Sequence, residues 1–68
     1  MVLTIELEQE DDGRWIAEVV EIPGALAYGT TPGQARAKAQ AIALRALADQ
    51  LDRGETKSDL STISFAAA

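Results

Sequence analysis

The order of turn signals in the first half of the chain constrains its fold more than any other feature. Asp12-Gly13 indicates a first turn and Pro23-Gly24 a second. A further turn, from Gly29 to Pro32, comes directly before a long alanine-rich segment. Gly and Pro interrupt regular structure because Gly tolerates positive φ and Pro lacks a backbone donor. Three strands followed by one helix are therefore predicted.

Apolar residues alternate in the predicted strands. In residues 2–8, Leu3, Ile5 and Leu7 alternate with more polar side chains, so one face of this strand is apolar and the other largely polar. In residues 14–20 both faces carry apolar side chains, which predicts that other parts of the protein or of a partner pack on both faces of this strand. Residues 9–13 fit a hairpin loop of four or five residues, with positive φ at Gly13. Residues 25–28 predict a short third strand.

The start and end of the helix are marked by specific residues. Thr31 is a good N-cap, Pro32 occupies the first helical position, and Gln34 follows the cap by three residues as in a capping box. The alanine-rich segment predicts a helix that continues to residue 52 or 53, where Gly54 is a ready C′ residue.

The C-terminal half offers more apolar surface than one helix on one sheet requires. Leu44 and Leu51 widen the apolar side of the helix, which indicates further packing within the chain or in an oligomer. Residues 62–65 alternate and predict a fourth strand, which either returns to the sheet edge or pairs with another subunit. The predicted fold is α+β in the order β-β-β-α-β: one domain, residues 1–68, with an antiparallel sheet packed on one long helix.

Length and composition limit the ways in which this fold can be stabilised. A domain of 68 residues buries only about 60% of the surface that its unfolded chain exposes. The chain has no Cys for disulfides and no His for zinc, so self-association is the remaining stabilising device. Signal peptides begin with a basic segment, and the residues before Glu6 include no Lys or Arg. No apolar run approaches the roughly 20 residues that a membrane span needs. A cytoplasmic protein is expected.

The net charge of −5 is unevenly distributed. Up to Thr31 the chain has seven acidic residues and only Arg14 as a base, whereas residues 32–68 have five bases and four acids. An acidic surface repels phosphate backbones and attracts basic proteins, so a protein partner is expected and a nucleic acid is not. The alternative is a solvated surface that serves only solubility.

The acidic hairpin partly matches the spacing of a calcium-binding loop. Glu8, Glu10, Asp12 and Gly13 occupy positions one, three, five and six of an EF-hand spacing. Position twelve should be a bidentate Glu, and it is Val19. The match therefore fails.

Two other kinds of site are equally poorly supported. Residues 24–29 have the glycine spacing of a phosphate loop, but Thr30 stands where the Lys belongs. Glu6, Glu18 and Asp49 are candidate Mg²⁺ ligands of a nuclease, although acids on such polar faces are usually only solvated. No catalytic residue, metal or cofactor is expected.

A series of short motifs resembles a known family over roughly residues 4–55. In chain order the motifs are Glu10-Asp11-Asp12-Gly13, Trp15, Ala17, Ile22-Pro23-Gly24, Tyr28-Gly29, Thr31 and Gln34-Ala35. Their order and spacing resemble the N-terminal domain of HicB-type antitoxins. The chain departs from the family at Val20, where Pro is common, at Ala25, where Cys is frequent, and at residues 33–36, which are less acidic. These departures affect the expected partner more than the expected fold.

The resemblance implies a partial ribonuclease-H-like module without that fold's catalytic carboxylates, assembled as a homodimer or homotetramer. Family members neutralise a small basic mRNA interferase of the HicA type by covering its active surface. Many carry a C-terminal DNA-binding domain, which is not expected here. The alternative is an orphan homo-oligomeric domain without a toxin.

The residues proposed for the partner surface lie in and beside the acidic hairpin: Glu8, Glu10, Asp11, Asp12 and Trp15. Trp15 and Tyr28 have a second interpretation, as aromatic residues of the core or of an oligomer interface. The remaining motif residues are assigned to turns and caps: Gly13, Pro23, Gly24, Gly29, Thr31, Pro32 and Gly54.

Overall fold

The computed structural model describes residues 1–55 and 60–68. Four strands and one helix follow in the predicted order β-β-β-α-β: β1 (Val2–Gln9), β2 (Trp15–Val19), β3 (Leu26–Gly29), α1 (Pro32–Asp52) and β4 (Ser64–Ala67). The α+β class is thereby confirmed. β3 begins one residue later than predicted and β4 two residues later. Residues 56–59, between α1 and β4, lie outside the described residues.

The four strands form one sheet in the order β3-β2-β1-β4. β1 and β2 are antiparallel, as are β2 and β3, but β4 runs parallel to β1. The prediction of an antiparallel sheet is therefore wrong, and the sheet is mixed. The helix is the reason: it carries the chain back along the sheet after β3, so β4 runs in the direction of β3, which is also the direction of β1.

The first two of the three predicted turns have the expected backbone geometry. In the hairpin loop, the Gly13 N–H donates to the Glu10 carbonyl (2.9 Å), and Gly13 has a φ of +91°. At the second turn, the Ala25 N–H donates to the Ile22 carbonyl (3.1 Å) across Pro23 and Gly24, and Gly24 has a φ of +84°. Gly occupies both positions because other residues rarely adopt positive φ.

The predicted helix caps are confirmed. The Thr31 hydroxyl accepts from the Gln34 N–H (3.0 Å), and Pro32 begins the helix. The Gln34 side chain accepts from the N–H of Thr30 (2.7 Å), one residue before the cap. The helix ends at Asp52, and Gly54 follows the C-cap with a φ of +67°.

The core lies between the helix and one face of the sheet, called here the covered face. The sheet contributes Leu3, Ile5, Ala17 and Val19, joined by Ile22 and Ala25 from the second turn, and the helix contributes Ala35, Ala39, Ala43 and Leu47. Alanines spaced four residues apart leave little side-chain volume between the helix and the strands. The helix therefore packs closely on the sheet.

Gly29, predicted as a turn residue, is the last residue of β3, and close packing explains its presence. A Cβ atom at this position would lie 2.5 Å from the backbone nitrogen of Ala35. Real Cβ contacts are not that short, and a backbone atom cannot move aside as a flexible side chain can. Gly29 therefore permits the close approach of β3 and α1.

The helix covers only part of the sheet. It packs on β2 and β3, touches β1 slightly, and makes no close backbone approach to β4. Leu44 and Leu51, predicted to pack further, are exposed on the described chain. Within residues 1–55 and 60–68, no helix is both long and apolar enough to span a membrane.

Candidate protein-binding face

The second face of the sheet, called here the open face, is covered by no element of the described chain. It is formed by the alternate residues of each strand and its extension: Val2, Thr4, Glu6, Glu8, Ile16, Glu18, Val20, Leu26, Tyr28, Ser64 and Ala66. Large apolar side chains are exposed there, among them Val2, Val20, Leu26 and Tyr28. Exposed apolar groups beside charged ones are typical of protein-binding surfaces.

The strand register places carboxylates and apolar groups in adjacent rows. In one row Glu6, Glu18 and Leu26 are cross-strand neighbours. In the next row Ile16 lies between Glu8 and Tyr28. Each acidic position thus borders an apolar one.

Glu6 and Glu18 form a directly opposed pair of like charges. Like charges in this arrangement destabilise a sheet. The ion pairs found in the described chain all lie elsewhere: Arg14 with Asp12, and Arg53 with Asp49 and Glu55. A cationic group from a partner would relieve the repulsion.

A shallow depression of about 470 Å³ lies over the same rows. Its walls include Glu6, Glu8, Glu18, Ile16 and Leu26, and residues 67–68 close one side. Such a depression, lined by both carboxylates and apolar side chains, has room for side chains of a partner.

Glu21 ties the end of β2 to β1 at the margin of the open face. Its two carboxylate oxygens accept from the backbone N–H and from the hydroxyl of Thr4, both at 2.7 Å. These hydrogen bonds, that from the backbone first, lower the pKa of Glu21 below its ordinary value of 4.5. The carboxylate therefore satisfies the Thr4 N–H, while the Thr4 carbonyl accepts from the Val20 N–H (2.9 Å).

The tip of the hairpin carries Glu10, Asp11 and Asp12. Asp12 accepts from the Arg14 backbone N–H (3.0 Å) and from the Arg14 guanidinium (2.7 Å), and these bonds lower the pKa of Asp12. The same guanidinium lies 4.6 Å from the centre of the Tyr28 ring. Arg14 therefore joins the hairpin tip to the open face and neutralises Asp12, whereas Asp11 is exposed.

The predicted partner-surface residues do not all lie together. Glu8 is on the open face, and Glu10, Asp11 and Asp12 extend from it at the hairpin tip. Trp15 is opposite Gln9 and Gly29 on the covered face, where it is half-buried against the core. The Trp15 position matches its interpretation as a core aromatic.

The candidate nuclease carboxylates are divided between the two sides of the sheet. Glu6 and Glu18 are neighbours on the open face, but Asp49 belongs to the helix on the other side and pairs with Arg53. In the described residues, no group of three or more His, Cys, Asp or Glu side chains is arranged to hold a metal. The depression thus offers carboxylates and apolar surface for contact with another molecule.

Sequence reasoning missed the pairing of Glu6 with Glu18 and the contribution of Leu26. The alternation of Ile16, Glu18 and Val20 already indicated a face with mixed character. The register between β1 and β2 was needed to show which carboxylates meet.

Comparisons of the chain with protein-family models, with curated proteins and with solved structures find no match.

Proposed function

We propose that the chain is an antitoxin-like protein-binding module, non-enzymatic and cytoplasmic, that neutralises a small basic mRNA interferase of the HicA type. The module occludes the active surface of that ribonuclease. The observation that carries the proposal is the open face, where Glu6, Glu8 and Glu18 border exposed apolar side chains. The motif resemblance to HicB-type antitoxins supports the same function.

The fold is compatible with this proposal. The β-β-β-α-β order, with β4 returning parallel to β1, agrees with the partial ribonuclease-H-like module that the resemblance implies. On this model the carboxylates of the open face contact basic groups on the ribonuclease, and Leu26 and Tyr28 supply apolar contact. The hairpin residues Glu10 and Asp11 extend the acidic surface toward the partner.

Electrostatics explains why an acidic face suits such a partner. A ribonuclease that binds RNA carries positive charge on its active surface, so complementary potentials speed association and favour correct orientation. Contact with a cation also removes the repulsion between Glu6 and Glu18. Binding should therefore weaken as salt concentration rises.

Calorimetric titration with a HicA-type ribonuclease encoded beside the gene tests the proposal, together with inhibition of its RNA cleavage. The double variant Glu6→Gln, Glu18→Gln is expected to lose about tenfold or more in affinity and to show a weaker salt dependence. The matched control, Asp49→Asn with Asp52→Asn, changes the net charge equally on the helix and should bind as the wild type does.

Three results decide between the alternatives. Absence of binding and of inhibition at low salt refutes the proposal and favours the orphan homo-oligomer. Equal losses in both double variants would show that net charge, and not the open face, governs binding. A loss of affinity seen only in the double variant Glu10→Gln, Asp11→Asn would show that the contact lies at the hairpin tip.

A further inference from the structure

The side of α1 that faces away from the sheet carries an apolar stripe, called here the outer stripe. It consists of residues spaced alternately four and three apart: Ala37, Ala41, Leu44, Ala48 and Leu51. Leu44 is 43% exposed and Leu51 is 52% exposed. Because this spacing keeps all five residues on one side of the helix, the stripe is continuous over about 20 Å.

The spacing of the outer stripe favours a helix as its occupant. Alternation of four and three residues is the repeat by which two helices pack side by side, and a strand or a loop has no such period. Leu44 and Leu51 supply large side chains for this packing. The alanines between and before them let the backbone of a second helix come close.

Cationic side chains border the outer stripe. Lys38 and Arg45 lie along one margin, and Arg36 lies along the other. Within residues 1–55 and 60–68, none of these three side chains forms an ion pair. Asp49 lies one turn after Arg45 but pairs with Arg53. The three cations are therefore available to an acidic partner.

These charges do not serve the stability of the helix. Acidic residues in the first turn and basic residues in the last turn stabilise a helix through its dipole. α1 has neither. Residues 32–48 contain three bases and no acid, and Asp49 and Asp52 lie in the last turn. The distribution of charge opposes the helix dipole, and it suits recognition of carboxylates.

We propose that the outer stripe binds an acidic amphipathic helix of another protein. The apolar side of that helix packs on the stripe, and its flanking carboxylates contact Lys38 and Arg45. The stripe and the open face lie on opposite sides of the domain, so a basic partner and an acidic partner can bind at the same time. This second binding surface does not depend on the proposed toxin binding.

Other occupants fit the outer stripe less well. A phosphate backbone would contact the cations and leave Leu44 and Leu51 exposed. Helices that lie on membranes present several large apolar or aromatic side chains, whereas three of the five residues in the stripe are alanine. A second copy of the chain, paired antiparallel about the centre of the stripe, would bring Arg45 against Arg45.

Fluorescence anisotropy of labelled peptides mixed with the whole chain tests the proposal. The probe is a synthetic helix of about three heptads, with Leu and Ala at its repeat positions and Glu at the flanking positions. Lys38→Gln with Arg45→Gln should weaken binding by at least about tenfold, and salt should weaken binding by the wild type. The matched control, Gln9→Glu with Ser64→Glu, changes the net charge equally at exposed positions of the sheet and should bind as the wild type does.

Two further variants separate charge from apolar contact. Lys38→Arg with Arg45→Lys keeps both charges and should retain binding. Leu44→Gln with Leu51→Gln keeps the cations but should also lose at least about tenfold in affinity. Both leucines are exposed, so these variants should fold, and circular dichroism checks this.

Several results would overturn the proposal. One is the absence of binding to the acidic probe at low salt, and another is equal binding of a peptide with the same composition in scrambled order. Tighter binding of an RNA duplex or of phosphatidylserine vesicles would assign the cations to phosphate groups. A homodimer that dissociates in Leu44→Gln with Leu51→Gln would show that a second copy covers the stripe.

Discussion

The two faces of the sheet differ in the burial of their apolar side chains and in their charge. Against the covered face, the small helix side chains Ala35, Ala39 and Ala43 are fully buried, and Gly29 allows backbone contact with the helix. On the open face, larger apolar side chains stand exposed beside carboxylates, and Glu6 opposes Glu18. The covered face gains stability from close packing, whereas the open face has exposed apolar groups and a pair of like charges, which do not stabilise the isolated domain.

This difference separates the residues that hold the fold from those proposed to contact a partner. Substitutions on the covered face should reduce stability, and substitutions on the open face should mainly change binding. The difference in stability loss between the two faces should be large, because a domain of this size has few buried residues and each contributes much to its stability.

The largest effect is expected from truncating Leu47, which is only 3% exposed in the core. Leu47→Ala should lower the free energy of unfolding by about 2–5 kcal/mol, since it removes apolar contacts and leaves a cavity. Leu26→Ala on the open face, where the side chain is 41% exposed, should cost less than about 1 kcal/mol. Urea denaturation measures both, and equal losses would contradict the distinction between the faces.

A second effect concerns the close approach of β3 to the helix. Gly29→Ala should lower the free energy of unfolding by about 1–3 kcal/mol, because the new Cβ would meet the Ala35 backbone at 2.5 Å. Gly33→Ala is the matched control: it lies in the helix, and its Cβ would meet nothing within 4 Å. That variant should gain about 0.4–1 kcal/mol through the unfolded state. A neutral Gly29→Ala would show that the helix is not closely packed there.

The smallest effect concerns Glu21 and Thr4 at the margin of the open face. Because the pKa of Glu21 is lowered in the folded chain, its contribution to stability is complete above its ordinary value of 4.5. The contribution is lost as the pH falls through the lowered pKa. Glu21→Gln should therefore be less stable than the wild type at neutral pH, with a difference that shrinks in acid.

Denaturation at neutral pH and at about pH 3 measures this difference. Thr4→Val keeps the backbone donor and loses the hydroxyl, so it should retain part of the pH dependence. A stability difference between Glu21→Gln and the wild type that stays constant with pH would contradict the assigned hydrogen bonds.

Most of the secondary structure could be predicted because its signals are local. Thr31 and Pro32 mark the start of the helix through backbone chemistry that needs no distant partner, and Gly13 and Gly24 mark turns in the same way. The direction of β4 could not be predicted, since it depends on which end of the sheet the chain reaches after the helix.

The candidate site was only partly predictable. The acidic hairpin was visible as a run of carboxylates, and Glu8 was assigned to the partner surface. The separation of Trp15 from Glu8 required the strand register, because neighbouring strands decide which alternate residues share a face. The opposition of Glu6 and Glu18 depends on the same register.

By itself the sequence determined the order of elements, the helix boundaries and the acidic character of the first half, because these follow from residues close together in the chain. Only the tertiary structure decided that β4 runs parallel beside β1, that Gly29 contacts the helix backbone, and which carboxylates meet on the open face. These features arise from contacts between residues far apart in sequence. Pairing register and helix placement fix such contacts, and neither is recorded in local residue patterns.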